Sequence, residues 1–462
     1  MARNTIAAKA SDPSLPVKVD VYSNADRTRS VSLLGGFVRL TYYESILQDS
    51  IKVNYIFADS GNSIDSKSVV EGLPLIGTED VQLEIEDNNE NKIKVDLNVN
   101  KITPIYEDTG KSMINLSLVS EQFIRNEEGS SRIIERYDGK ISDHVTSILT
   151  MKLKAKKGKK LKEANIEETE GNYNFLGNGR KPYYILNWLS KASTPIVGKE
   201  TGYSAGFLFF ETSEGFHFKS IDALFAQPQK KSFIYNESTD LKKGIPAGYD
   251  GKILEQSSDN AINVQDRMKM GIYKTKLVLF DPFNCKYEVI EKAAKEPDPG
   301  DSTGKKEVAK GLKLAGKELP TLNKKFDNKF TRTTYMLVDT GSLPTGKYKP
   351  GTEGPNDDQV SKNMDPNFQA ALTLNQAIRR YNQVFSGMQE ITIAGDFSLH
   401  AGDVIFVDLP AIKAETDDTV DRQTGGLYII ADLCHLVTAN GTWTKLNLAR
   451  DSFGRKGNHS TR

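Results

Sequence analysis

One β pattern occurs twice in this chain, near its two ends, and it restricts the available folds more than any other feature. Near the start, Leu73-Pro74-Leu75-Ile76-Gly77-Thr78-Glu79-Asp80-Val81-Gln82-Leu83-Glu84-Ile85 leads, after a break, to Lys101–Tyr106, an Asp108-Thr109-Gly110 turn and Ile114–Leu118. Near the end, Phe397–Val407 leads to Leu427–Val437, and an Asn440-Gly441 turn and Thr444–Leu448 close the pattern. Both read as a Gly-containing tight turn before an Asp-Val strand, then a hairpin with period-two alternation. A chain that carries one module twice can set six modules around an axis from three subunits, which favours assembly over chemistry.

Composition narrows the function classes. The 462 residues suffice for about two to four domains, each with its own core. Lys plus Arg equals Asp plus Glu at 61 each, so no overall field draws the chain to nucleic acid or anionic membrane. An apolar fraction of 38% and a mean hydropathy of -0.47 suit a strand-rich protein with broad polar partner surfaces better than a compact enzyme. No apolar run approaches the ~18 residues that span a bilayer, so no membrane segment is expected. The start, Met1-Ala2-Arg3-Asn4-Thr5-Ile6, lacks the apolar core of a secretory signal. Cys285 and Cys434 lie in apolar strand patterns and read as buried thiols.

The periodicity divides the chain into parts. Residues 1–126 alternate in period two, through Val17, Val19 and Val21, then Phe37–Tyr43 and Ile51–Phe57, and read as an antiparallel barrel-like domain. Residues 127–231 read as an α+β middle domain. Its helices cover Ile141–Leu153, starting at an Asp143 cap, and Tyr183–Ser190. It ends in the strands Phe207–Glu211 and Phe216–Ser220, joined by a Ser213-Glu214-Gly215 turn. Residues 232–390 hold the strands Lys274–Phe280 and Thr333–Val338, a polar excursion at 295–326 whose composition predicts mobility, and a helix over 367–386. That helix has Ala370, Leu372, Ala377, Ile378, Tyr381 and Phe385 on its apolar side. Residues 391–462 supply the closing strands and a tail.

The motifs that could carry chemistry fail on context. Gly202-Tyr203-Ser204-Ala205-Gly206 matches a nucleophile elbow, yet the elbow needs a helix next and Phe207–Phe210 reads as a strand. A serine hydrolase using Ser204 and His435 is the alternative reading, although His435 stands mid-strand. Gly341–Tyr348 misses the P-loop, because Tyr348 replaces the magnesium-binding hydroxyl and Pro350 disfavours the helix. Asp87–Lys92 imitates an EF-hand start without its central Gly and reads as a hairpin turn. The five His residues show no metal-ligand spacing, so no catalytic residue, cofactor or metal is expected. The lysines between Lys152 and Lys162 lack interleaved aromatics and suit a solvated loop or an acidic protein partner better than a nucleic-acid groove.

The segment from the helix at Asn367 through Gly395-Asp396-Phe397-Ser398-Leu399-His400-Ala401-Gly402-Asp403-Val404-Ile405 to Tyr428-Ile429-Ile430-Ala431 resembles the central baseplate hub proteins of contractile-tailed (myovirus) bacteriophages. The strand pair in Phe207–Asp222 is similar to the same family, which shares its fold with the base of type VI secretion spike proteins. The clear resemblance covers about a third of the chain; the inserts at 152–172 and 295–326 have no counterpart in it. It implies a mainly β chain with an α+β middle domain and two similar barrel-like tube domains, forming a pseudo-sixfold ring in a homotrimer. It also implies a non-enzymatic virion protein of the tail baseplate, assembled in the host cytoplasm. Its partners would be a trimeric spike or needle, the tail tube or its initiator, wedge proteins and the tape measure protein, with DNA only in transit. The interface strands are expected at Asp80, Val81, Leu83, Ile85, Ile102, Leu116, Asp403, Val404, Phe406, Tyr428, Ile430 and Leu446. A secretion-spike base is the other alternative, although no β-helical needle repeats follow.

Overall fold

A computed structural model describes residues 14, 16–61, 64–108, 110–196, 206–235, 245, 248–258, 263–281, 285–293, 313–320, 322–323, 325–326, 332–337, 370–409 and 424–458. The first seven strands are β1 Pro16–Tyr22, β2 Ser30–Ser32, β3 Phe37–Ser45, β4 Lys52–Asp59, β5 Asp80–Glu86, β6 Lys92–Asp108 and β7 Lys111–Val119. They form one curled sheet in the order β3-β4-β7-β6-β5-β1-β2. Alternation explains the curl. In β5, Val81, Leu83 and Ile85 are buried while Asp80, Gln82 and Glu84 face outward.

The middle of the chain adds β8 Arg136–Tyr137, β9 Phe175–Leu176, and the antiparallel pair β10 Phe207–Thr212 and β11 Gly215–Ser220. Its core gathers Ile141, Val145, Leu149, Leu186, Leu189, Phe207 and Phe218. Helix Pro182–Ala192 begins with Pro182 in its first turn and buries Ile185, Leu186 and Leu189 on one side. Asp143 does not cap the preceding helix: the helix starts after Lys140 and ends at Ser147, and Ile148–Lys152 then wind as a π-helix. The Thr146 and Thr150 hydroxyls donate to carbonyls four residues back, which loosens this ladder.

The remaining strands are β12 Lys231–Tyr235, β13 Gly251–Ser258, β14 Lys274–Asp281, β15 Lys286–Ala293, β16 Arg332–Leu337, β17 Gly387–Ala394, β18 Val404–Asp408, β19 Gly426–Thr438 and β20 Gly441–Arg450. Six of them close a barrel, β18-β12-β13-β17-β20-β19, because β19 pairs back onto β18. Two of its ladders, β12–β13 and β12–β18, are parallel. β14, β15 and β16 form a separate small sheet. Helix Ala370–Val384 packs against helix Pro182–Ala192 and against β14. Its buried side carries Ala377 and Val384 but also Arg379, Arg380 and Gln383, which the amphipathic reading left out. Residues 367–369 of the expected helix lie outside the described residues.

The barrel and the first sheet are continuous. The second half of β19, Asp432–Thr438, pairs antiparallel with Ser45–Arg39 of β3, so thirteen strands share one ladder and one core runs through both halves. Several expectations are corrected here. The break between Ile85 and Lys101 is only the Asp87–Asn91 hairpin turn, after which β6 already begins at Lys92. Cys285 is exposed in the turn between β14 and β15, and Cys434 is half-buried, so neither is the deeply buried thiol that the apolar patterns suggested. Residues 313–320 of the polar excursion are held: Ala315 N–H donates to Asp451 Oδ1 at 3.0 Å and Gly316 N–H to Ser452 Oγ at 2.6 Å. Its residues 295–312 lie outside the described residues, as do Ser204 and the whole of 341–348.

Candidate assembly surface

The two copies of the repeat correspond hydrogen bond by hydrogen bond. In the first, Thr78 N–H donates to the Val99 carbonyl and Val99 N–H donates to the Glu79 carbonyl. In the second, Gly402 N–H donates to the Ile430 carbonyl and Ile430 N–H to the Asp403 carbonyl. The acidic side chain closes the turn in both. Glu79 Oε1 accepts from Ile76 N–H at 2.8 Å, and Asp403 Oδ2 accepts from His400 N–H at 2.8 Å. Thr78 at φ +70° and Gly402 at φ +90° occupy the same left-handed position. The copies are therefore offset by one from the Asp-Val alignment suggested by the sequence. Asp80, paired with Asn98, takes the place of Val404, paired with Ile429.

The equivalence extends outward. A bulge follows Val99 in β6 and Ile430 in β19, and beyond it Leu116 and Leu446 face Ile102 and Leu433. A second shared bulge lies at Phe37/Arg39 in β3 and at Ile253/Glu255 in β13. Bulges re-aim a strand, so two shared ones give both meanders the same bend. On this register β3 corresponds to β13, β4 to β17, β6 to β19 and β7 to β20. Thr41 then matches Ser257, Tyr42 matches Ser258, His435 matches Pro104 and Leu436 matches Tyr106.

That mapping exposes an asymmetry. The outer edge of β19 beyond its bulge is filled by β3 of the same chain. The equivalent edge of β6, from Lys101 to Ile105, has no ladder partner among the described residues; β7 lies on its other side. The equivalent edge of β13, from Glu255 to Ser258, likewise has no ladder partner among the described residues, where β12 pairs only with Gly251–Ile253. The β6 edge carries an additional bulge at Pro104/Tyr106 and exposes Ile105 (53%) and Tyr106 (56%).

The filled junction is heavily built. Tyr42 stacks on His435 at 5.9 Å, and Phe397 meets His435 edge-on at 4.7 Å. Next to them the buried Glu44 accepts from Tyr42 Oη at 2.7 Å, from Ser213 N–H at 2.8 Å and from Ala401 N–H at 3.0 Å, and lies 3.3 Å from His400 Nδ1. It thereby ties the first sheet, the β10–β11 turn and the barrel turn together. Burial alone would raise the Glu44 carboxyl, but His400 and these donors pull it down to about 2. Burial would lower His400, and Glu44 outweighs it and raises the imidazole. Burial pushes His217 down to about 3 and His435 to about 4.

The expected interface residues divide by burial. Val81, Leu83, Ile85, Leu116, Val404, Phe406, Tyr428, Ile430 and Leu446 are all at most 2% exposed inside this chain. Asp80 is exposed, and Ile102 and Asp403 are partly so. A contact through these strands thus uses their backbone edges and outward residues. The expected stretch Ile102–Leu118 includes Pro104–Tyr106 on the β6 edge, whereas Glu255–Ser257 of β13 fell outside every expected stretch. The signal for the β6 edge was Pro104 followed by two consecutive apolar residues, which breaks period two. His435 is fully buried and its Nδ1 lies 2.9 Å from Thr444 Oγ1, a strand-to-strand partner. Among the described residues no group of three His, Cys, Asp or Glu could hold a metal ion, and no helix is long and apolar enough to cross a membrane.

No family model and no curated protein matches the sequence. Solved structures similar to this chain include the 43 kDa tail protein of prophage MuSo2 from Shewanella oneidensis, at 10% identity and a TM-score of 0.49, covering 94% of this chain and 98% of that one. A tail protein from Neisseria meningitidis has 11% identity and a TM-score of 0.48, covering 94% and 96%. A component of the E. coli type VI secretion system has 8% identity and a TM-score of 0.42, covering 92% and 77%.

Proposed function

We propose that this chain is a non-enzymatic structural protein of a phage tail baseplate, and within it the trimeric central hub. In this reading the first sheet and the six-stranded barrel are the two tube domains. Six of them in three subunits surround the channel for tape measure and DNA, one face meeting the sixfold tube and the other the threefold spike. Wedge proteins would surround the ring, as the sequence resemblance implies.

One observation carries the reading: the same junction is filled once within the chain, while its two halves recur, in β6 and in β13, with no ladder partner among the described residues. Within the chain β19 pairs with β3. On the corresponding side, β6 and β13 have no ladder partner among the described residues. Head-to-tail pairing of β6 of one subunit with β13 of the next would repeat the internal junction, and such a heterologous contact gives a closed ring when its rotation is a whole fraction of a turn. Closure also removes two exposed strand edges that would otherwise promote aggregation. The junction defines how subunits join, and the resemblance supplies the number three.

The register transfers as well. Leu436 opposite Thr41 becomes Tyr106 opposite Ser257 of the neighbouring subunit. With Cys285 and Cys434 replaced by Ser, the Tyr106→Cys, Ser257→Cys double variant should oxidise to disulfide-linked species that stop at the trimer. Each single-cysteine variant should give at most a minor dimer. A chain that stays monomeric at micromolar concentration, alone and with a spike protein, and forms no such link, would refute the hub.

A further inference from the structure

The lysine run closes over the outer face of the first sheet and forms a cleft of about 580 Å³ with it. Its backbone is fixed, because Leu153, Ala155 and Leu161 are buried in the middle core and Phe216 N–H donates to the Lys160 carbonyl at 2.8 Å. Some of its charge is already matched: Lys160 pairs with Glu211 at 2.6 Å, and across the cleft Lys94 pairs with Glu84 at 2.9 Å. Lys156, Lys159 and Lys162 line the same cleft, are exposed, and pair with no carboxylate among the described residues. A second observation concerns Gln122. It lines the cleft at 3% exposure, and its Oε1 has no hydrogen-bond partner among the described residues.

We infer that this cleft docks a short acidic segment of a partner polypeptide. Three unmatched ammonium groups on a fixed loop give the charge complementarity. The buried Gln122 carbonyl calls for a donor, and a polypeptide supplies an N–H from its backbone at every non-proline residue, where the sugar-phosphate backbone of DNA has none. Asp96 and Glu214 on the same walls would repel an unbroken row of phosphates, whereas a peptide can place its carboxylates individually. The inference does not depend on the hub reading and fails separately from it.

The test is fluorescence anisotropy with a fluorescein-labelled oligo-glutamate peptide, alongside a single-stranded oligothymidylate of equal charge. The peptide is expected to bind more tightly than the oligonucleotide and to weaken as salt rises from about 0.05 to 0.15 M. The Lys156→Glu, Lys159→Glu, Lys162→Glu triple variant should lose about tenfold or more. Gln122→Met should weaken the peptide about threefold with no fall in the melting temperature. Peptide binding that the triple variant leaves unchanged, absence of peptide binding, or tighter binding of the oligonucleotide would each overturn the inference.

Discussion

Thr78 and Gly402 occupy the same turn in the two copies, so opposite substitutions there should have opposite effects. Gly402→Ala places a Cβ at φ +90°, where an L-residue loses about 1–2 kcal/mol. That Cβ would stand 2.9 Å from Phe210 Cζ, and Phe210 is 1% exposed in the core between barrel and middle segment. Displacing a packed ring costs about 1–3 kcal/mol, for a total of about 2–5 kcal/mol. Thr78→Gly relieves the same backbone penalty of about 1–2 kcal/mol, less about 0.5–1 kcal/mol for glycine's additional freedom in the unfolded chain. The net lies between about 0 and a gain of about 1.5 kcal/mol, toward the lower end because the exposed Asn24 Nδ2–H bond to Thr78 Oγ1 is lost. Urea unfolding followed by far-ultraviolet circular dichroism measures both. A loss from Thr78→Gly comparable to that from Gly402→Ala would refute the equivalence of the two turns, and the edge argument would lose its register.

Arg380 is 1% exposed and bridges Asp222 at 2.8 Å, Asp451 at 2.5 Å and the Lys313 carbonyl at 2.8 Å. Arg380→Met strands two buried carboxylates and should cost about 3–5 kcal/mol, lowering the melting temperature by about 3–5 °C; adding Asp222→Asn and Asp451→Asn should recover more than half. The Glu44–His400 pair sets a pH window. Glu44, lowered to about 2, contributes fully above its ordinary 4.5 and loses that contribution as pH falls toward 2. His400, raised, contributes fully below its ordinary 6.5 and loses that as pH rises through its folded value. His217 and His435, lowered to about 3 and 4, add stability above 6.5 that disappears on acidification. Thermal melts of wild type should therefore lose part of their stability on the alkaline side of about pH 7, and Glu44→Gln should remove that alkaline loss.

Much of the fold follows from local pattern. Period-two alternation located β1, β3 and β4, and the Ser213-Glu214-Gly215 turn located the β10–β11 hairpin, because these depend on neighbours in sequence. The repeat itself was visible, though displaced by one residue: the Gly at 77 resembled Gly402, while the positive φ equivalent to Gly402 belongs to Thr78. Topology was not legible. Closure of the barrel by β18–β19 and the joining of β19 to β3 connect residues far apart in sequence, and no local pattern encodes a choice of partner. The free edges were hidden for the same reason, since an edge is defined by a missing neighbour. Buried Arg380 in an otherwise amphipathic helix was likewise unreadable without Asp222 and Asp451 beside it.

The filled and open junctions differ in chemistry, which bears on how a ring would form. Where the chain pairs with itself, Tyr42 and His435 face one another across the ladder. At the proposed junction between subunits Ser258 and Pro104 take those places, so the aromatic stack is missing and one N–H donor is lost from the edge. The internal junction is then permanent, and the external one weak enough to await a concentrated pool or a templating partner. Transplanting the chemistry tests this. Pro104→His with Ser258→Tyr restores a donor, at about 0.5–1.5 kcal/mol, and an aromatic pair, at about 0.5–1.5 kcal/mol. About 2 kcal/mol at each of three interfaces is about 6 kcal/mol per closed trimer, shared over two association steps, so ring formation should begin at concentrations lower by about 150-fold. Mass photometry across a dilution series reads the population directly. A double variant that folds like wild type and assembles at an unchanged concentration would mean that β6 and β13 do not meet.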